Sequence, residues 1–270
     1  MTHTLEVPGA RLYYEQRGSG PLLLLIGSPM DSGPFTGLAQ AMAGRYTVVT
    51  YDPRGIGGST REDTGSEVTP EQQADDVHRL LAELGGGPAR LFGSSGGAVV
   101  GLALITAHPG EVTTLVAHEP PVIELLPDSE QVKAQIQEIY DTYRAEGPDK
   151  AMAMFMATAG IGQGPAQGEE PPAWNPPPEV VARMRATTEE FLASLLRATT
   201  RFQPDLAALR ATPTRLVIGV GTTSAGQLAY RCAQTLAGDL GLPVTRFPGD
   251  HGGFVGAPQP FAEVLSDCLA

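Results

Sequence analysis

The stretch Ala89-Arg90-Leu91-Phe92-Gly93-Ser94-Ser95-Gly96-Gly97 decides how this chain reads. A short apolar run enters a glycine-rich turn, and a helix-like segment from Ala98 to Ala107 leaves it. The pattern is strand, sharp turn, helix, with a serine at the tip. Glycine stands two residues to each side of Ser95, where larger side chains would collide in so tight a turn. Ser94 lacks that flank, because position 92 is Phe92. Such a turn lifts a hydroxyl clear of the sheet. The helix N-terminus beneath it favours developing negative charge. By itself the pentapeptide is a moderate signal, with a glycine-rich turn carrying incidental serines as the alternative.

Working outward, Leu22-Leu23-Leu24-Leu25-Ile26 is a continuous apolar run, as expected of a strand buried on both faces, and it ends in Gly27-Ser28-Pro29-Met30. Tyr46 to Tyr51 is a second β-rich run, followed by Asp52-Pro53-Arg54-Gly55-Ile56-Gly57-Gly58-Ser59. His251 stands near the C-terminus in Pro248-Gly249-Asp250-His251-Gly252-Gly253-Phe254. At these residues the chain resembles the α/β-hydrolase family. The strand with its Gly-x-Pro loop, the D-x-R-G-x-G-x-S loop, the nucleophile elbow and the late histidine occur in that family's order. The resemblance extends over nearly the whole chain.

The alternation of elements agrees. Two short strands, 4–7 and 11–16, flank a Pro-Gly turn. Strands are then expected at 22–26, 46–51, 89–93, 112–117, 214–219 and 243–247. Helices are expected near 35–43, 70–85, 97–108, 225–238 and 259–269; Thr69-Pro70-Glu71 supplies an N-cap, a proline at the first position and an acid in the first turn. The predicted fold is α/β: a mostly parallel eight-stranded sheet with helices on both faces. Alternation breaks between 122 and 208, where helices are expected at 128–146, 149–158 and 179–201 around a Gly/Pro-rich stretch, 162–178. The resemblance implies a helical cap at that place. Residues 1–121 and 209–270 then form the core domain, and 122–208 the cap.

Composition sets limits. At 270 residues with 41% hydrophobic side chains, the chain can bury a sizeable core. A formal net charge of −12 repels phosphate backbones, which argues against nucleic acid as a partner. No apolar run approaches the roughly 18 residues of a membrane span. The N-terminus lacks the basic and apolar regions of a signal peptide. The two cysteines, Cys232 and Cys268, suggest no disulfide framework, and a cytoplasmic location is expected. A small-molecule substrate is the expected partner, and a homo-oligomer is left open.

For the chemistry, Ser95 needs a base, and His251 follows the final predicted strand in a flexible glycine-rich loop. His3, His78, His108 and His118 are less suitably placed: a terminus, a charged helix, a helix end and a strand end. Family members usually carry an aspartate after the penultimate strand. Here that context reads Gly221-Thr222-Thr223-Ser224, and no carboxylate lies between Gly219 and Asp239. Glu119, after the strand beside the elbow strand, is the substitute; some α/β-hydrolases keep their acid at that strand end. The alternatives for Glu119 are an ordinary loop carboxylate and a buried one that orders the cap entrance. The resemblance further implies an oxyanion hole built from the backbone N–H groups of Gly96 and of Ser28, with Met30 as the alternative to Ser28, and the Ser28 hydroxyl as a further candidate donor. Asp52 and Arg54 are expected to brace loops. Candidate pocket residues are Gly27, Met30, Ser94, Met152, Phe155, Met156 and Trp174.

Neither a metal nor an organic cofactor is implied. The expected function is that of a serine hydrolase cleaving a small, largely apolar carboxylic ester or lactone through an acyl-enzyme. The same residues also serve carbon–carbon hydrolases, thioesterases and cofactor-free perhydrolases. A non-catalytic ligand-binding protein on a decayed scaffold is the rival from another class.

Overall fold

The apolar run predicted as a doubly buried strand is one. In β3 (Leu22–Ser28) the side chains alternate between two cores. Leu24 and Ile26 join one cluster, while Leu23 and Leu25 join the other. A computed structural model describes residues 1–85, 87–161 and 177–270 of the chain. The flanking strands are β1 (Thr2–Val7), β2 (Ala10–Arg17), β4 (Thr47–Tyr51), β5 (Thr60–Arg61), β6 (Ala89–Ser95), β7 (Val112–His118), β8 (Arg215–Gly221) and β9 (Val244–Phe247). They form one sheet in the order β1-β2-β4-β3-β6-β7-β8-β9, with β5 paired to β2.

The sheet therefore has nine strands among the described residues, not the eight expected. The extra strand, β5, is two residues long and pairs antiparallel with Ala10 and Arg11. A strand of that length carries no alternation to read in sequence. β2 is antiparallel to its three neighbours β1, β4 and β5. From β4 across to β9 every pairing is parallel.

Helices cover both faces, as parallel strands require. On one side lie α1 (Thr36–Met42) and, at the C-terminus, α10 (Gly253–Gly256) and α11 (Pro258–Leu269), packed through Leu38, Phe254 and Phe261 onto Phe92 and Phe247. On the other lie α2 (Pro70–Glu83), α3 (Gly96–Ala107), α8 (Leu206–Ala211) and α9 (Leu228–Leu240). Helix α3 is buried from Gly96 through Ile105, so it runs through the core rather than along its surface. The predicted N-cap of α2 is present: Thr69 Oγ1 accepts from Gln72 N at 3.2 Å. Cys232 and Cys268 are buried, unpaired thiols.

Between β7 and α8 come α4 (Ser129–Glu146), α5 (Pro148–Ala159), α6 (Pro178–Glu190) and α7 (Leu196–Thr200). The helix expected over 179–201 is not continuous. A π-helical turn, Phe191–Leu195, widens it between α6 and α7. This turn is tied to the sheet side of the molecule. Arg61 Nη2 donates to Ser194 Oγ at 2.6 Å, Arg61 Nε lies 3.0 Å from Glu190 Oε1, and Val68 N donates to Ser194 O at 3.0 Å. Those partners are far apart in sequence, which is why no local pattern announced the break. Among the described residues, no helix is long and apolar enough to cross a membrane.

Candidate active site

Ser95 ends β6 and occupies the N-cap position of α3 with φ 56° and ψ −126°, a backbone conformation that side-chain-bearing residues rarely adopt. The flanking glycines make the turn sterically feasible. A Cβ on Gly97 would run into the carbonyl of Ile26, and one on Gly93 would fall 2.5 Å from Gly97 O. Ser28 ends β3 and is in register with Ser95. The sheet thus delivers Ser28, Ser95 and the start of α3 to one place, at the carboxyl ends of neighbouring parallel strands. Ligands of open α/β sheets bind there.

Glu119 follows β7 and is fully buried. It is the only non-glycine besides Ser95 with positive φ among the described residues, at 48°. Its two oxygens have separate partners. Oε1 accepts from Gly221 N at 2.8 Å, and Oε2 lies 2.6 Å from His251 Nδ1. Burial alone would raise the Glu119 carboxyl. The hydrogen bonds from His251 and from the Gly221 N–H outweigh that and hold it below the usual carboxylate range. His251 reaches this position from the loop after β9. Ser95, His251, Ser28 and Gly96 all line one cavity of about 270 Å³.

Ser224, in the loop where the family resemblance implies an aspartate, is fully buried, and its Oγ has no hydrogen-bond partner among the described residues. It packs beside Gly221, whose N–H is held by Glu119. Next to Glu119, His118 is also fully buried. Desolvation pushes its pKa down to about 4, so the ring is neutral near pH 7. It stacks on His251 with centroids 6.2 Å apart, and its Nδ1 lies 3.3 Å from Ser94 Oγ.

The remaining sequence candidates divide. Met30, Ser94, Met152 and Phe155 line the cavity with Ser95. Gly27 and Met156 do not. Gly27 is sealed beneath the loop by Phe35 and Met30. Met156 falls at the edge of the α5 face that presents Met152, Phe155 and Ala159 to the cavity. Trp174 lies outside the described residues. The Ser28 hydroxyl, a candidate donor to the oxyanion, instead donates to Gln73 Oε1 at 3.1 Å, leaving only its backbone N–H for that role. Asp52 and Arg54 do brace loops. Asp52 accepts from Ser32 N and Gly58 N, both at 2.7 Å, and Arg54 forms a buried ion pair with Asp76.

Sequence reasoning missed most of the cavity wall. Ile136 of α4, Phe191 and Leu195 of the π-helical turn, and Gln227 and Leu228 at the start of α9 all contribute. For the apolar ones the only sequence signal is apolarity within helices, which core packing produces equally well, and Gln227 carries no pattern that marks it. Among the described residues, one group of potential metal ligands exists: His78, His108 and Glu111. The two imidazoles are stacked with centroids 3.9 Å apart and planes within 3°, so a single ion cannot lie in both ring planes. The group sits at the far end of α3 from Ser95, roughly 18 Å along the helix axis.

Comparison with known proteins bears on the fold and on the class of activity. The family model described as alpha/beta hydrolase fold matches residues 20–159. An uncharacterized hydrolase, YraK, of Bacillus subtilis is 33% identical over 269 residues, covering 98% of this chain and 95% of the relative. A thermophilic esterase from Thermogutta terrifontis superposes with TM-score 0.76 at 20% identity, covering 100% of this chain and 98% of the other. The enol-lactonase of Burkholderia xenovorans LB400 gives TM-score 0.71 at 20% identity, with 99% of each chain covered. At such identities the two structures attest the shared fold alone.

Proposed function

The chain belongs to the α/β-hydrolase fold family, a family of hydrolases, and from that premise we propose that it is a serine hydrolase of small, largely apolar carboxylic esters or lactones. The observation that carries this reading is the 2.6 Å contact between buried Glu119 and His251, in a cavity that Ser95 also lines.

In the proposed reaction, His251 Nε2 takes the proton of Ser95 Oγ as that oxygen attacks the substrate carbonyl. Glu119 accepts from His251 Nδ1–H, fixing the tautomer that leaves Nε2 free and stabilising the imidazolium as it forms. The oxyanion is held by the backbone N–H groups of Gly96 and Ser28. His251 then gives the proton to the departing alkoxide, leaving an acyl-Ser95. Water, deprotonated by the same Nε2, attacks that ester, and the acid leaves as Ser95 regains its proton. The glutamate takes the part usually played by an aspartate because β7 ends where its longer side chain reaches His251, while Ser224 offers no charge.

Residues 122–208 act as a cap over the core formed by 1–121 and 209–270. Phe191, Leu195 and Phe155 give the cavity its apolar wall, which suits an uncharged acyl or lactone ring. Two buried, unpaired cysteines fit a reducing, cytoplasmic setting.

The test joins active-site labelling to turnover. A fluorophosphonate should add once, on Ser95, and abolish hydrolysis of 4-nitrophenyl esters and simple lactones. Ser95→Ala should take no label and lose about three orders of magnitude in kcat. Full turnover by Ser95→Ala would refute the assignment.

A further inference from the structure

Among the described residues, the cavity wall away from the loops carrying Ser28, Ser95 and His251 is apolar except for Thr199, Thr200 and Gln227. Thr200 spends its hydroxyl on Leu196 O at 2.8 Å. The Thr199 hydroxyl turns to donate or accept, so it imposes no polarity on a ligand. Gln227 is different. Its backbone is committed: N–H donates to Ser224 O at 2.9 Å, and its carbonyl accepts from Arg231 N at 3.0 Å. It holds the N-cap position of α9, yet its side chain caps nothing. By contrast, Asp205 at the start of α8 binds two first-turn N–H groups.

Gln227 lines the cavity, and its Oε1 is buried with no hydrogen-bond partner among the described residues. The end of α5 lies beside it: a Cβ on Gly160 would come within 3.5 Å of Gln227 Cα and 3.6 Å of its Cγ. A buried, unpaired carbonyl is costly in an apolar wall, and that cost is recovered when a donor arrives. Sites with such a group discriminate strongly between ligands that carry the matching polar atom and ligands that do not.

We propose that Gln227 is a substrate-binding residue whose Oε1 accepts a hydrogen bond from a hydroxyl or N–H on the non-reacting part of the substrate. The preferred ester or lactone is then apolar with one hydrogen-bond donor remote from the cleaved bond. This rests on the serine-hydrolase reading for the reacting end, and Gln227 itself takes no part in bond cleavage.

The probes are 4-nitrophenyl ω-hydroxyalkanoates and their ω-methoxy counterparts, in a series of chain lengths. The methoxy group keeps the oxygen and removes the donor. At the chain length that reaches Gln227, the protein should favour the hydroxy ester in kcat/KM by about tenfold or more. Gln227→Leu should erase that preference, lowering kcat/KM for the hydroxy ester about tenfold more than for the methoxy ester. Gln227→Met serves as a second variant should the leucine protein fold poorly. A preference absent at every chain length, or one that survives in Gln227→Leu, overturns the proposal. So does a preference for the methoxy ester, which would mean that the amide presents its NH2 group.

Failure to hydrolyse any ester would count against the hydrolase reading, not against this one. In that case the matched ω-hydroxy and ω-methoxy methyl ketones, which cannot be cleaved, decide by calorimetry. Tighter binding of the hydroxy ketone, lost in Gln227→Leu, upholds the donor site; equal binding overturns it.

Discussion

Replacing Glu119 by glutamine tests the proposed triad where the structure constrains it most. The substitution preserves shape and removes charge, and both partners of Glu119 are donors. Gly221 N–H points at Oε1 from 2.8 Å, and His251 Nδ1 faces Oε2 at 2.6 Å. A carboxylate accepts from both, whereas an amide has one accepting end and one donating end. If glutamine keeps the Gly221 bond, its NH2 faces His251 Nδ1. That nitrogen must then give up its hydrogen, which moves to Nε2 and blocks proton abstraction from Ser95.

If the amide turns over, a fully buried backbone N–H is stranded. A hydrogen bond to an ionised group contributes about 1.5–3 kcal/mol, or roughly 10- to 150-fold in rate. The two orientations are alternatives, and either one alone sets a loss on the order of 10² in kcat with KM little changed. Initial rates on a 4-nitrophenyl ester across pH 5 to 9 provide the assay, with fluorophosphonate labelling of Ser95 alongside. Activity within about threefold of the unsubstituted protein would refute the reasoning, since His251 would then work without this carboxylate.

Three further outcomes are expected. His118, neutral at a pKa of about 4 when folded, takes up a proton near pH 6.5 when unfolded. The unfolded state therefore binds more protons between those values. Stability falls as pH drops from about 6.5 to about 4, by about 3 kcal/mol from this group, and His118→Leu should flatten the slope in urea unfolding. Gly97→Ala, whose new methyl would collide with the Ile26 carbonyl, should cost about 3 kcal/mol, read as a lower thermal midpoint; an unchanged midpoint would contradict the packing argument. Ser224→Asp, placing a carboxylate in the loop beside Gly221, should recover about tenfold in kcat when added to Glu119→Gln. Added to the unsubstituted protein, it should destabilise by bringing a second buried carboxylate near Glu119.

Much of the frame was legible because its signals are local. The elbow is five consecutive residues whose glycines are dictated by backbone contacts of that turn. The Leu22–Ile26 run is apolar throughout because both faces of β3 are covered. Thr69-Pro70 announces α2 through bonds made within one helical turn. The missed elements depend on distant partners: β5 is too short to carry a pattern, and the π-helical turn at Phe191–Leu195 is anchored by Arg61 and Val68 from another part of the chain.

The sequence by itself determined which residue types stand at the ends of β3, β6 and β7. Strand positions along the chain and turn chemistry are written in short-range patterns of hydrophobicity and glycine. It also narrowed the acid to Glu119, by leaving the usual loop without a carboxylate. Only the tertiary structure decided that Glu119 reaches His251, that the Ser28 hydroxyl turns to Gln73, and that Met152 and Phe155 line the cavity while Met156 does not. The physical reason is common to all three. A side chain's direction is settled by packing and hydrogen bonds with groups far away in the chain, such as Gly221 for Glu119 and Gln73 for Ser28, and one-dimensional spacing holds no record of those partners.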